Sequence, residues 1–144
     1  MIENLNYKWA QLIIEECVHS GMDLFVLSPG SRSTALALAV AEHPQAKSVI
    51  HYDERGAAFF ALGYAKGNAR AAPLICTSGS ALANYFPAVV EASQSMLPLL
   101  MLTADRPQEL LDSGANQTMD QHGIFAHHAR AFFQTPVPSS KVSD

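Results

Sequence analysis

The sequence predicts an α/β domain, an open parallel sheet with helices on both faces. Three observations predict it. Four short apolar runs begin at positions 24, 48, 73 and 98, a step of 24 or 25 residues, about the length of one strand–helix repeat. The runs are apolar at consecutive positions, as strands covered on both faces are. Helix-like segments lie between them, so successive strands run in the same direction through right-handed crossovers.

Taken in order, Tyr7 to Ser20 carries Trp9, Leu12, Ile13 and Cys17 at helical spacing and is stopped by Gly21. Leu24-Phe25-Val26-Leu27 is the first strand. Thr34 to Glu42, rich in alanine and leucine, is a helix that ends before Pro44. Ser48-Val49-Ile50-His51-Tyr52 is the second strand, and Glu54 to Asn68 the next helix, with Ala57, Phe60, Ala61, Tyr64 and Ala65 as its apolar positions. That helix also holds Gly56, Gly63 and Gly67. A mid-helix glycine costs roughly 1 kcal/mol relative to alanine, so their presence predicts close packing, either helix on helix or helix on a ligand. Pro73-Leu74-Ile75-Cys76-Thr77 is the third strand. Ser80 to Ser95 reads as one helix in which Pro87 is either a kink or a first-turn residue. Pro98-Leu99-Leu100-Met101-Leu102-Thr103 is the fourth strand. Asp105 to Asp120 is polar and turn-rich, Arg130-Ala131-Phe132-Phe133 reads as one more strand, and PVPSSKVSD resembles the start of a linker.

The chain has 144 residues, the size of one ordinary domain. A hydrophobic content of 49% supports a core and excludes intrinsic disorder. A net charge of −4 leaves no electrostatic footprint for nucleic acid and no basic face for an anionic membrane. No apolar run approaches the ~20 residues of a spanning helix. MIENLNYKWAQ shows no secretory signal, so a cytoplasmic location is expected, with Cys17 and Cys76 as buried free thiols. No zinc-type spacing occurs, and His122, His127 and His128 read as surface or linker histidines. Charged residues make up only 15%, against roughly 25% in a typical soluble domain. Much of the surface is therefore expected to be covered by other protein. A cofactor-filled interface and a plain obligate dimer both produce this signal.

In an open parallel sheet, ligands bind beyond the carboxyl ends of the strands. Those ends read Ser28-Pro29-Gly30-Ser31-Arg32-Ser33-Thr34, Asp53-Glu54-Arg55-Gly56, Thr77-Ser78-Gly79-Ser80, and Ala104-Asp105-Arg106-Pro107 followed by Ser113-Gly114-Ala115-Asn116-Gln117. Pro29-Gly30 predicts a tight turn. After it, Ser31, Ser33 and Thr34 offer hydroxyls and N–H groups to an anion at a helix N-terminus, and Arg32 adds a fork suited to a carboxylate. A capped helix start with a solvated arginine explains the same residues. Neither a Walker loop nor a dinucleotide fingerprint is present. Glu54 is either a first-turn helix cap or, walled by apolar residues, an acid of raised pKa that shares a proton with a ring nitrogen. Ser78-Gly79-Ser80-Ala81 is a small-residue turn where a flat ring can approach backbone. Arg106, a second guanidinium at the same sheet end as Arg32, suits a di- or polycarboxylate. Gln117 is a side chain of the same polar loops.

Taken together, LSPGSRSTALALAVAEHP, HYDERGAAFFALGYAKG, CTSGSALANYFPAVVEAS and LLMLTADRPQELLDSGANQTMDQ strongly resemble the N-terminal domain of the menaquinone-pathway 2-succinyl-5-enolpyruvyl-6-hydroxy-3-cyclohexene-1-carboxylate (SEPHCHC) synthase family, from about Trp9 to Phe133. The order SPGSRST, DERG, TSGSA, TADRP, GANQ makes the resemblance specific. The wider group of thiamine-diphosphate enzymes shares only the glutamate and the domain architecture. The resemblance implies thiamine diphosphate with Mg2+ as cofactors. It implies that Glu54 hydrogen-bonds N1′ of the aminopyrimidine and that Gln117 is a second catalytic residue. Pro29, Thr77, Ser78, Gly79 and Asn116 line the cofactor pocket, and Ser31, Arg32 and Arg106 face the substrates. The implied reaction is a transfer: 2-oxoglutarate is decarboxylated and the succinyl-semialdehyde carbanion adds to isochorismate.

One part of the family pattern is missing. The Gly-Asp-Gly…Asn signature for diphosphate and magnesium does not occur, and the family carries it in a separate C-terminal domain. The resemblance therefore implies a pyrimidine-binding domain over residues 1–144, truncated near the following linker, with no metal ligands of its own and inactive alone. Its site would be shared between subunits of a homodimer or homotetramer. The alternatives are a stand-alone pyrimidine-binding subunit of a split thiamine-diphosphate decarboxylase and a non-catalytic flavodoxin-like anion-binding module.

Overall fold

The computed structural model describes residues 4–138. The chain runs through α1 (Leu5–His19), β1 (Leu24–Leu27), a 3-10 turn (Ser31–Ser33) that leads into α2 (Thr34–Glu42), β2 (Lys47–Ile50), α3 (Glu54–Asn68), β3 (Leu74–Cys76), the short α4 (Ser80–Ala83), α5 (Phe86–Ser95) and β4 (Met101–Thr103). Two further 3-10 turns follow at Gln108–Leu110 and Ala126–His128. Local chemistry accounts for most of the boundaries. Asn4 opens α1 by accepting the Tyr7 N–H at 3.2 Å, and the chain turns away after it at Gly21, with φ +82°. Asp53 opens α3 by accepting the N–H groups of Arg55 and Gly56 at 3.0 and 3.4 Å.

The four strands form one parallel sheet in the order β2-β1-β3-β4. Alternate side chains of the central strands face opposite layers, as strand geometry requires. Val26, Leu74 and Cys76 join residues of α3 and α5 in one core, with Tyr85 fully buried among them. Phe25, Leu27 and Ile75 join residues of α1 and α2 in the other. The predicted fold, a parallel sheet with helices on both faces, is the one observed.

Five expectations are corrected. The second strand is not covered on both faces: it is an edge strand in which Lys47, Ser48 and Ile50 are exposed. Only β1 and β3, flanked on both sides, are buried as predicted. The helix expected from Ser80 to Ser95 is two helices, α4 and α5. Pro87 lies in the first turn of α5 and has no N–H to give to the Ala83 carbonyl, so the helical ladder breaks there. Arg130 to Phe133 is not a strand. Arg130 instead donates to the Ser93 carbonyl at 3.4 Å, and the Phe132 ring meets His122 edge-on at 4.7 Å. Of the α3 glycines, only Gly56 packs closely, against the His51 ring, while Gly63 and Gly67 face open space. Finally, Pro29-Gly30 is not a tight turn. Gly30 is extended, and the chain turns only afterwards, through the 3-10 helix. The linker expected at 136–144 has no regular structure over 136–138, and its remainder lies outside the described residues.

Candidate functional site

The strand order sets the site. From β1 the chain crosses to β2 at one edge, and β3 then pairs on the other side of β1. The loop after β1 leads to α2 in one layer, and the loop after β3 leads to α4 and α5 in the other. The crevice between diverging loops of this kind is where open α/β sheets bind ligands. Here the two loops touch. A Cβ at Gly30 would collide with the Thr77 side chain, so only glycine lets them approach this closely.

On the β1 side, the hydroxyls expected to face an anion are partly spent on backbone. Ser33 Oγ donates to the Gly30 carbonyl at 3.0 Å and Thr34 Oγ1 to the Ser31 carbonyl at 2.7 Å. Pro29, Ser31 and Arg32 are exposed, and Arg32 makes no hydrogen bond or ion pair among the described residues.

On the β3 side, Thr77, Ser78 and Gly79 are buried. Gly79 has φ +81° and ψ −142°, a conformation open essentially to glycine alone. The 104–121 segment, which holds a single short 3-10 turn, is stitched onto this turn and onto the end of β4. Ser78 Oγ donates to the Gln117 carbonyl at 3.0 Å. Gly79 N–H donates to Gln121 Oε1 at 2.8 Å, and Gln121 Nε2 donates to the Ala104 carbonyl at 3.1 Å. Arg106 Nη2 donates to the Asn116 carbonyl at 2.8 Å, while Arg106 Nε is buried without a partner. Gln117 itself is exposed and sits at φ +56°, a left-handed conformation uncommon outside glycine.

Glu54 lies half-buried in the first turn of α3. Asp53, not Glu54, supplies the side-chain cap of that helix. Glu54 is left with no hydrogen bond or ion pair among the described residues. Its carboxylate acts on two groups beneath the sheet edge. Burial pushes the Cys76 thiol up to about 12; the neighbouring Tyr85 hydroxyl opposes this and the Glu54 charge adds to it. Burial also holds the Tyr85 phenol far above its ordinary value, with Cys76 and Glu54 contributing. Tyr85 Oη neighbours Cys76 and Ser28, yet neither it nor Ser28 Oγ completes a well-formed hydrogen bond. Half-buried Glu54 thus acts on two buried groups, the Cys76 thiol and the Tyr85 hydroxyl, and the latter has no hydrogen bond.

The structure therefore joins Thr77, Ser78, Gly79, Asn116, Gln117 and Arg106 by direct bonds or shared turns, and brings Gly30 against Thr77. Two clefts, of about 210 and 380 Å³, lie apart from Glu54, one between α1 and α2 and one within 111–120. No group of three or more His, Cys, Asp or Glu side chains is placed to hold a metal ion among the described residues. Gln121 and the buried hydroxyl of Tyr85 are not among the residues that the sequence singles out. A glutamine in a polar loop carries no local signal, because its partners lie 17 and 42 residues away.

Residues 7–124 match the family model described as thiamine pyrophosphate enzyme, N-terminal TPP binding domain. Among curated proteins, the chain is 55% identical over 138 residues to the SEPHCHC synthase of Pelodictyon phaeoclathratiforme, covering 96% of this chain and 23% of that protein. It is 57% identical over 134 residues to the synthase of Chlorobium limicola, covering 93% and 23% respectively. It is 54% identical over 138 residues to that of Haloarcula marismortui, covering 96% and 23%. The chain thus spans about 23% of the length of the relatives it matches. A match over so much of the sheet and its loops makes this chain a member of the thiamine pyrophosphate enzyme family, within its N-terminal TPP binding domain.

Proposed function

We propose that this chain is the pyrimidine-binding domain of a SEPHCHC synthase, a thiamine-diphosphate-dependent transferase of menaquinone biosynthesis. The substrates would be 2-oxoglutarate, which is decarboxylated, and isochorismate, which receives the remaining carbon unit. The observation that carries the reading is Glu54: a half-buried carboxylate relieved of helix capping by Asp53, with a charge that reaches buried Tyr85 and Cys76.

The residues present suit an aminopyrimidine. Tyr85 Oη and Ser28 Oγ are buried neighbours without a hydrogen bond, Tyr85 Oη feels the Glu54 charge, and Gly30 and Gly79 let the loops after β1, β3 and β4 pack closely together beside the crevice. Such surroundings favour a flat ring with donors and acceptors on its edge. When bound, thiamine diphosphate supplies the electron sink for decarboxylation. Glu54 hydrogen-bonds the ring nitrogen and is the residue that moves a proton there. Pro29, Thr77, Ser78, Gly79 and Asn116 wall the ring. Arg106, with one buried donor unmatched, and the exposed Arg32 and Ser31 receive substrate carboxylates. Gln117, held by its backbone to Ser78, orients the reacting substrate.

Diphosphate and Mg2+ would be bound by a separate C-terminal domain, beyond a central domain. The site would form between subunits of a homodimer or homotetramer in the cytoplasm. The relatives' length, about four times that of this chain, supports the multidomain reading. No helix among the described residues is long and apolar enough to cross a membrane.

The test is Glu54→Gln in the full-length polypeptide that carries this domain. Turnover should fall by about 100-fold or more, the scale of a lost general acid–base group, with circular dichroism unchanged. Near-normal turnover would overturn the proton-transfer role.

A further inference from the structure

We infer that Gln121 is the positioning residue of this site, which sets the wall formed by Gly79, Asn116 and Gln117. The inference rests on the cofactor site proposed above. Gln121 lies in a segment without helix or strand, yet it is buried, at 7% exposure. Both ends of its amide are used. Oε1 accepts the Gly79 N–H at 2.8 Å, and Nε2 donates to the Ala104 carbonyl at 3.1 Å. One partner is a donor and the other an acceptor, so only one orientation of the amide satisfies both.

The consequence reaches Gln117. Gly79 and Gln117 are in close contact: a Cβ on Gly79 would lie 3.0 Å from the Gln117 carbonyl oxygen. Both residues have positive φ, and Gln117 is not a glycine. A residue keeps that conformation only where its surroundings impose it. The ties available are Ser78 Oγ to the Gln117 carbonyl, Arg106 Nη2 to the Asn116 carbonyl, and the Gln121 amide, which fixes the Gly79 turn against which Gln117 rests. Through one side chain Gln121 bonds both Gly79 in the loop after β3 and Ala104 at the start of the loop after β4. An aliphatic replacement of similar length would strand a buried N–H at Gly79 and a carbonyl at Ala104.

The experiment compares the full-length polypeptide with its Gln121→Met and Gln121→Glu variants. Amide hydrogen exchange is followed at Gly79 and across 113–121, and thiamine diphosphate binding with Mg2+ is measured by calorimetry. In Gln121→Met, exchange at these amides should rise about tenfold or more, with α1 unchanged. The dissociation constant for thiamine diphosphate should rise about tenfold, and kcat at saturating cofactor should fall as Gln117 loses its setting. Gln121→Glu keeps an acceptor for Gly79 and should lie between. Unchanged exchange overturns the inference, as does faster exchange with binding and kcat unaltered, since Gln121 would then be merely structural. If Gln121→Met does not fold, Gln121→Glu is judged by the same two criteria. A wild-type polypeptide that binds no thiamine diphosphate overturns the cofactor reading and this inference with it. Tight wild-type binding with unaltered variants overturns this inference alone.

Discussion

Gly79 joins backbone strain to function. Its φ and ψ are open essentially to glycine, and its missing side chain leaves room for the Gln117 carbonyl. Gly79→Ala should cost about 1–3 kcal/mol, the scale of one forced backbone conformation, read as a lower urea midpoint at unchanged m-value. Cys76 and Tyr85 give a prediction in pH. The folded chain holds the Cys76 proton more tightly than the unfolded chain does, since burial moves the thiol from 9.0 to about 12. This contribution is fully present below pH 9 and is lost as pH rises from 9 towards 12. Tyr85, shifted in the same direction from 10.0, adds a further loss above that value. Denaturant midpoints should therefore be flat from pH 7 to 8.5 for these two groups and fall beyond pH 9. A thiol reagent at pH 8 should leave Cys17 and Cys76 unlabelled until the chain unfolds, since both are buried.

Among the elements, α3 carries the decisive local feature. Asp53 caps it, and Glu54 follows at once, so the cap fixes the backbone of the turn that carries Glu54. Asp53→Ala should destabilise the fold by about 1 kcal/mol, whereas Asp53→Asn, which still accepts hydrogen bonds, should cost less. Thermal denaturation of the two variants gives the comparison. Helices α2 and α3 were legible to their end residues, because their signals are local: an alanine- and leucine-rich stretch ending before Pro44, and an acidic start at Glu54. The Ser80–Ser95 stretch was less so. Its apolar spacing reads through Pro87 without interruption, but the missing N–H divides it into α4 and α5. The run at Ser48–Tyr52 reads as a buried strand because apolar residues do not report whether a helix will cover them, and β2 lies at the edge.

Over the whole molecule, the low charge content meets a matching surface. Phe59, Phe60, Gly63 and Gly67 fall at helical spacing on α3 and are exposed, and so are Ile50 at the end of β2 and Tyr52 just beyond it. Apolar surface of this kind marks an interface. The 144-residue chain should self-associate in sedimentation velocity at micromolar concentration, and Phe60→Glu should shift it toward monomer. A monomer at all concentrations would count against a covered face. The sequence by itself determined the strand–helix rhythm, the bounds of α2 and α3 and the set of loops that carry polar residues, because each depends on residues a few positions apart. Only the tertiary structure decided that β3 pairs on the far side of β1, that Asp53 frees Glu54 from capping, and that Gln121 ties Gly79 to Ala104. The strand pairing and the Gln121 ties span tens of residues, and the choice of cap is a matter of side-chain geometry; neither leaves a trace in local periodicity.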